Sequence, residues 1–510
     1  MKRFLLFFAT LLTGLMFYAC GGDEIEEPTT PPSISVSTIN FTNEGGSQRF
    51  SVSGAESVSL PSSSSWYTFD FVSAMNGTTY IKVTVQPNET YEVRTATVTI
   101  VADGTNLQLT VNQEASPMPV QDTDAFKMGQ ASGLGWNLGN NMDGVNTWSY
   151  NGKVVAEETA WGNAAATEET FKGLAAKGIK CVRIPVTWEG HVGDAPDYTI
   201  DDKWLGRVAE LVGWAKANGL KAMINIHHDE GAGAGHYGFL DIKTAAYDKA
   251  TNDAVKARLK AMWIQIAEKF KNEGDYLIFE SMNEVQDGGW GWTNGANGNL
   301  GDGGKQYATL NEWQQVFVDA VRSTGGENAK RWLAVVGYAQ SPDLTMKELV
   351  LPSDPTPNRL MVGVHCYEPF EYCTNATINQ WGHTSTVAST KNGEKTISTL
   401  IENLKKKYVE QNIPVYVGEM GSVNREAEKD RKFQQYYMEY FARCCYLNGI
   451  ACYIWDNGVK NKYGQECFGY IDHGTGEYIG YAQSIIEAMV KATTSTDENY
   501  NLESIYATAP

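Results

Sequence analysis

Two textures of apolar spacing divide the chain. From residue 33 to 115, apolar and polar positions alternate over short runs: Gln48-Arg49-Phe50-Ser51-Val52, Tyr80-Ile81-Lys82-Val83-Thr84-Val85, Thr95-Ala96-Thr97-Val98-Thr99-Ile100-Val101 and Leu107-Gln108-Leu109-Thr110-Val111. Successive side chains of a strand point to opposite faces, so a period of two rich in Val, Thr and Ile predicts half-buried strands. Several such runs, punctuated by Gly, Asn and Ser, predict a small all-β sandwich of immunoglobulin-like type. Beyond residue 122, short apolar runs take turns with longer amphipathic stretches. The predicted strands there are Gly133–Gly139, Cys181–Val186, Ala222–Ile226, Tyr276–Ser281, Leu333–Gly337, Met361–His365, Val415–Gly418 and Ile450–Ile454, eight in all. Between them apolar residues recur at three and four, as in Trp204, Val208, Leu211, Val212 and Ala215, or Leu259, Met262, Trp263, Ile266 and Phe270. That spacing predicts helices with one buried stripe, and Gly178, Gly219 and Gly449 stand where such helices end. Eight alternations over residues 122–492 predict an α/β fold, a (β/α)8 TIM barrel. A doubly wound open sheet alternates in the same way, but the count of eight and the lack of a Gly-rich phosphate turn after the first strand favour the barrel.

The N-terminus carries a third pattern. Lys2 and Arg3 precede an apolar run, Phe4 to Tyr18, that is too short to span a bilayer comfortably and ends in Ala19-Cys20-Gly21. Residues 1–19 resemble a bacterial lipoprotein signal peptide, with Cys20 as the lipidated first residue; Phe17 departs from the usual Leu. The acidic residues that follow, Asp23, Glu24, Glu26 and Glu27, resemble the surface-export signal of lipoproteins in Bacteroidetes-type bacteria. These resemblances imply a cell-surface lipoprotein of the outer membrane anchored through Cys20, with a periplasm-facing or secreted protein as the alternative. Residues 20–32 are acidic and Pro-rich and predict a linker, 116–121 a second linker, and 493–510 a polar tail. Residues 33–115 resemble the BACON domain through the ISV start, Ser65-Trp66, the Arg94–Ile100 strand and the closing Leu109-Thr110-Val111-Asn112-Gln113. The family name suggests carbohydrate binding; a spacer role fits the same residues.

Composition narrows the partners. The 510 residues are 42% apolar, enough for a sizeable core, and carry a formal charge of −19. So acidic a surface repels nucleic acid and anionic lipid, which leaves a neutral or cationic partner and a membrane contact only through the lipid anchor. With Cys20 set aside, seven cysteines are scattered without a Cys-x-x-Cys pair, which predicts buried thiols in place of a disulfide framework or zinc site. A monomer is expected.

In a parallel barrel, chemistry collects at the C-terminal ends of the strands. Six predicted strand ends there are polar: Arg183; His227-His228-Asp229; Asn283-Glu284; His365-Cys366-Tyr367; Glu419; and Trp455-Asp456-Asn457. Single polar residues at strand ends usually cap; two Glu among six such ends suit cleavage of a glycosidic bond. One carboxyl must be protonated to donate to the leaving oxygen, and the other ionised to attack the anomeric carbon. Asn283 can hold a sugar 2-hydroxyl, while Arg183 and His365/Tyr367 can donate to Glu419 and keep it ionised. Glu284 is then the group whose pKa is expected to rise. Glu280, four residues earlier, keeps the same strand face but lies deeper, where an ion pair is expected; Asp287, Glu230 and Glu371 are expected in solvated loops. His227-His228-Asp229 also suits a metal, but adjacent strand residues face opposite ways and no HExxH motif accompanies them. No metal and no cofactor are expected.

These residues sit in segments that resemble glycoside hydrolase family 5: GLGWNLGNNMD (133–143), CVRIPVTW (181–188), INIHHD (224–229), IFESMNE (278–284), VGVHCYEP (362–369), VYVGEMG (415–421) and ACYIWDNG (451–458). The resemblance covers residues 120 to about 492 and implies a retaining mechanism with Glu284 as acid/base and Glu419 as nucleophile. It implies a supporting shell of Arg183, His227, His228, Asn283, His365, Tyr367 and Asn140, with Trp455 as the platform under the sugar at the cleavage site. Two departures stand out: Val285 where a Pro commonly follows the acid/base, and Cys366 where a bulkier residue is common. The Gly- and Trp-rich insert 288–304 offers Trp290 and Trp292 as further subsite candidates, with Trp188, Trp161 and Trp381 weaker. The wording around residues 136–188 is similar to subfamily 4, which implies an endo-β-1,4-glucanase acting on cellulose, mixed-linkage glucan or xyloglucan. An endo-β-mannanase of the same family and a non-catalytic surface glycan-binding lipoprotein are the alternatives.

Overall fold

The computed structural model describes residues 31–116, 118–146, 154–231, 238–288, 303–460 and 462–510; Cys20, Trp290 and Trp292 lie outside the described residues. The chain forms two compact units that divide between Met118 and Pro119. Among the described residues no helix is long and apolar enough to cross a membrane.

The first unit is a two-sheet β-sandwich. One sheet orders its strands Ser33–Ile34, Gly46–Ser53, Thr78–Val85 and Tyr67–Met75; the other orders Thr38–Phe41, Thr105–Gln113, Arg94–Ala102 and Val58–Ser59. The alternation does what it predicts: Thr79, Ile81, Val83 and Val85 are buried while Tyr80 between them is exposed. Ile81, Val83 and Val85 pack in one cluster with Ile100, Leu109 and Val111. The hairpin joining Arg94–Ala102 to Thr105–Gln113 turns on Asp103-Gly104, both at positive φ (46° and 79°), the backbone that a two-residue turn matched to strand twist requires.

The second unit is a closed barrel of eight parallel strands: Leu134–Asn137, Cys181–Ile184, Lys221–Ile224, Leu277–Glu280, Leu333–Val336, Leu360–Cys366, Val415–Met420 and Ala451–Ile454. A helix follows each strand, from Glu168–Ala176 after the first to Ala482–Thr494 after the eighth. Several helices start on a side-chain cap, such as Asp201 accepting from Lys203 N and Asp248 accepting from Thr251 N. Gly449 ends one of them at φ 67°, where a Cβ would lie 2.5 Å from the Phe126 ring. The tail expected over 493–510 instead carries a short helix, Leu502–Tyr506, capped by Asn501. The Tyr506 ring stacks on His383 with centroids 3.6 Å apart, so this end of the chain has packing partners that its polarity conceals.

Period two also orders the barrel interior. Cys181, Met223, Ile278, Ala334, Met361, Tyr416, Ala451 and Tyr453 fill its lower part as an apolar plug. Two residues further along the same strands, on the same face, stand Arg183, Asn225 and Glu280, all buried. The seventh strand breaks the rule. Counted from inward-facing Tyr416, Glu419 would face the helices, but the register shifts between Val417 and Met420. Met420 takes the outer position in the main core and Glu419 turns to the barrel mouth.

Candidate active site

Arg183 sits at the centre of the upper layer, fully buried, and four of its five N–H groups meet oxygens. Nε donates to Glu280 (2.8 Å), Nη1 to Glu419 (2.7 Å) and Asn137 (3.0 Å), and Nη2 to Asn283 (2.7 Å). Burial works against its charge, but Glu280 and Glu419 more than offset this and raise its pKa. Glu280 in turn accepts from Asn225 (2.8 Å), the Tyr416 hydroxyl (2.7 Å) and Gln340 (3.3 Å), so it is the deeper ion-pair partner its position predicts.

Above this layer, Glu284 and Glu419 face each other. One oxygen of each carboxylate and a ring nitrogen of His365 lie within 4.8 Å of one another. His365 Nδ1 is 2.6 Å from Glu284 and 3.6 Å from Glu419, while the Tyr367 hydroxyl donates to Glu419 at 3.0 Å. The two carboxyls are thus unlike. Glu419 takes a guanidinium and a phenol, a pattern only an anion uses fully. Glu284 pairs with an imidazole whose pKa burial pushes down to about 4, so the imidazole is neutral above that range. Glu419, expected to be simply held ionised, is itself pushed up by burial and by Glu284, against the pull of His365 and Arg183. Burial also raises Tyr367 well above its usual value, keeping it a donor.

His227 and Trp455 form a wall of the mouth, their rings parallel within 5° with centroids 6.1 Å apart. Asn225 Oδ1 accepts from Val186 N (3.0 Å), so its amide nitrogen meets His227 Nδ1 (3.1 Å) and leaves the imidazole proton on Nε2. That tautomer makes His227 a donor. Asp143, His227 and His228 also bring one ligand-type atom each within 4.8 Å, but Asp143 is held by the backbone N–H groups of Asn140 (3.0 Å) and Asn141 (2.8 Å). The trio adds polar groups beside the His227–Trp455 wall. His228 lies 3.9 Å from both Asp143 and Glu230, with the Trp161 ring 5.6 Å away.

Some expectations change. Trp188 is not an open subsite: it is fully buried and its indole donates to Asn225 O (3.0 Å), which makes it packing beneath the site. Trp381 is likewise buried, among Tyr436, Tyr437 and Tyr440, whereas Trp161 is 41% exposed. Asn140 acts through its backbone, at φ 57° in the turn that Asp143 closes. Glu230 and Asp287 are buried, not solvated, and Asp287 N donates to the Tyr338 hydroxyl (3.0 Å). Asn137, Asn225, Tyr416 and Gln340 belong to the site without having been singled out. The only signal for the first three was an inward position next to Arg183 or Glu280.

A family model for cellulase, glycosyl hydrolase family 5, matches residues 136–461. A second, BACON ("Putative binding domain, N-terminal"), matches residues 56–114. An endoglucanase A of Ruminococcus albus is 35% identical over 393 residues, covering 75% of this chain and 97% of that protein. A xyloglucan-specific endo-β-1,4-glucanase of Bacteroides ovatus is 29% identical over 486 residues, covering 90% of this chain and 92% of its own. Among solved structures, a broad-specificity endoglucanase from Bacteroides salanitronis superposes with a TM-score of 0.68 at 47% identity, covering 74% of this chain and 97% of that one. The chain belongs to glycoside hydrolase family 5, with a BACON domain ahead of its catalytic barrel.

Proposed function

We propose that the protein is a retaining endo-β-1,4-glucanase of plant β-glucans, with Glu419 as nucleophile and Glu284 as acid/base. The observation that carries this reading is the pair of unlike carboxyls with oxygens within 4.8 Å of one another. Single oxygens come this near in retaining pairs, whose carboxyl groups stand about 5–5.5 Å apart, while inverting pairs are held roughly 6.5–9.5 Å apart to admit a water. Arg183 and Tyr367 orient Glu419 for attack on the anomeric carbon. Glu284 gives its proton to the leaving oxygen, a glycosyl ester forms on Glu419, and Glu284 then takes a proton from the water that cleaves it. The Asn283 amide, its oxygen committed to Arg183, presents its nitrogen end to the sugar 2-hydroxyl.

Trp161, Phe370 and Tyr463 are exposed on the segments that follow the first, sixth and eighth strands, Phe370 at the start of a short helix, so aromatic faces stand on several sides of the mouth. Flat apolar faces around an open cleft suit internal attack on a long chain whose sugar rings present C–H faces. The glucan reading draws on the endoglucanase and xyloglucan-specific relatives. A lipid anchor at Cys20 would hold the enzyme on the cell surface; loss of membrane association in Cys20→Ala tests that part. The activity test is reducing-end release from mixed-linkage β-glucan, xyloglucan, carboxymethyl-cellulose and glucomannan. Release from at least one glucan supports the reading; release from glucomannan alone would make it a mannanase, and release from none would sink it.

A further inference from the structure

Glu284 has a backbone that its own residue type does not favour. Its φ is 40°, and on the neighbouring strand end Ala339 (53°) and Gln340 (46°) are also left-handed, none of them glycine. Residues other than glycine hold such angles only where their surroundings over-determine them. Here the two loops hold each other. Glu284 N donates to Gln340 Oε1 (3.1 Å), Ala339 N donates to Val285 O (3.0 Å), and Asp287 N donates to the Tyr338 hydroxyl (3.0 Å). Val285 has free φ, unlike a proline, so local stiffness does not replace these ties.

Gln340 does more than close a loop. Its oxygen is committed to the Glu284 N–H, so its amide nitrogen is the atom that meets Glu280 Oε1 at 3.3 Å. Glu280 holds Arg183, and Arg183 holds Glu419. One hydrogen-bonded path therefore runs from the backbone of Glu284 through Gln340, Glu280 and Arg183 to the opposite carboxylate. Gln340 is fully buried, and its side chain meets the backbone of Glu284 and the carboxylate of Glu280.

We propose that Gln340 is a positioning residue for the acid/base, fixing the left-handed backbone of Glu284 and the spacing of its carboxyl from Glu419. The inference rests on the proposed role of Glu284. Loss of Gln340 should therefore weaken proton donation to the leaving group far more than attack by Glu419.

The test compares kcat/KM on cellotetraose, whose leaving sugar needs a proton, with kcat/KM on dinitrophenyl β-cellobioside, whose leaving group does not. The ratio of the two is independent of the fraction of enzyme that is folded, so it separates positioning from mere destabilisation. Gln340→Met and Gln340→Ala should each lose about 10- to 100-fold on cellotetraose and less than about threefold on the activated substrate. Glu284→Ala, run alongside, should show the same bias more strongly. An unchanged ratio in either active Gln340 variant, with the bias present in Glu284→Ala, overturns the role of Gln340 alone. An unchanged ratio in Glu284→Ala overturns the acid/base assignment and the inference with it.

Discussion

The two layers inside the barrel use the same strands and the same faces to opposite ends. Cys181, Met223 and Ile278 belong to the apolar plug. Two residues on, Arg183, Asn225 and Glu280 form a buried polar network. The lower layer gains by leaving water. The upper layer loses by it, and recovers the loss only because each charged group finds several partners. A barrel built for stability alone would repeat the lower layer. That difference locates the function more firmly than the presence of any one residue, because a buried arginine between two glutamates holds one of them, Glu419, at the edge of a cleft in a defined orientation.

The comparison can be broken in graded steps. Glu419→Gln should lower kcat by about 10^4-fold or more while leaving thermal unfolding within a few degrees, as read by steady-state kinetics and calorimetry. Glu280→Ala should cost about 3–5 kcal/mol of stability, because it leaves the Arg183 charge half-paired, and should lower kcat as well. Met223→Ala, one layer below, should cost a comparable 2–5 kcal/mol by opening a cavity, yet leave kcat per folded enzyme within about twofold. If the two variants lost activity in parallel with stability, the division into layers would be wrong.

A pH profile sharpens the same contrast. As the proposed nucleophile Glu419 acts ionised, and burial chiefly raises its pKa above the ordinary carboxylate value. Activity should therefore fall with decreasing pH through a limb that lies above the ordinary carboxylate range. Arg183 lowers that pKa, so in Arg183→Met the limb of kcat/KM should move to still higher pH; a limb that stays put would mean that another group governs it. Smaller effects should follow at the rim. Trp161→Ala should raise KM about 3- to 10-fold with little change in unfolding, whereas Trp188→Ala should cost about 3–5 kcal/mol of stability.

Much of this arrangement was legible in the chain. Glu284 and Glu419 could be placed because they stand at the ends of apolar runs in a barrel whose chemistry collects at strand ends, and Arg183 because it interrupts such a run with a charge. The bulge that aims Glu419 inward was not legible, since alternation from Tyr416 points it the other way. Trp188 looked like a platform because exposure cannot be read from a residue's distance to a motif; its burial depends on Asn225, which lies in a different strand segment. Gln340 escaped notice because it lies four residues beyond the end of the fifth strand at Val336, and the left-handed turn that brings its amide under Glu284 has no residue-type signal when Ala and Gln occupy it. The last helix was hidden by a polar sequence whose partners, His383 and Glu439, are far away in the chain.

In the proposed mechanism Glu419 attacks and Glu284 handles the proton. A 2-fluoro cellobioside with an activated leaving group slows breakdown of the glycosyl ester and lets it accumulate for peptide mass spectrometry. One added glycosyl group is expected, on the peptide that contains Glu419, with hydrolysis of unmodified substrate first releasing the β-anomer. A label on Glu284, or no label together with first release of the α-anomer, would contradict it.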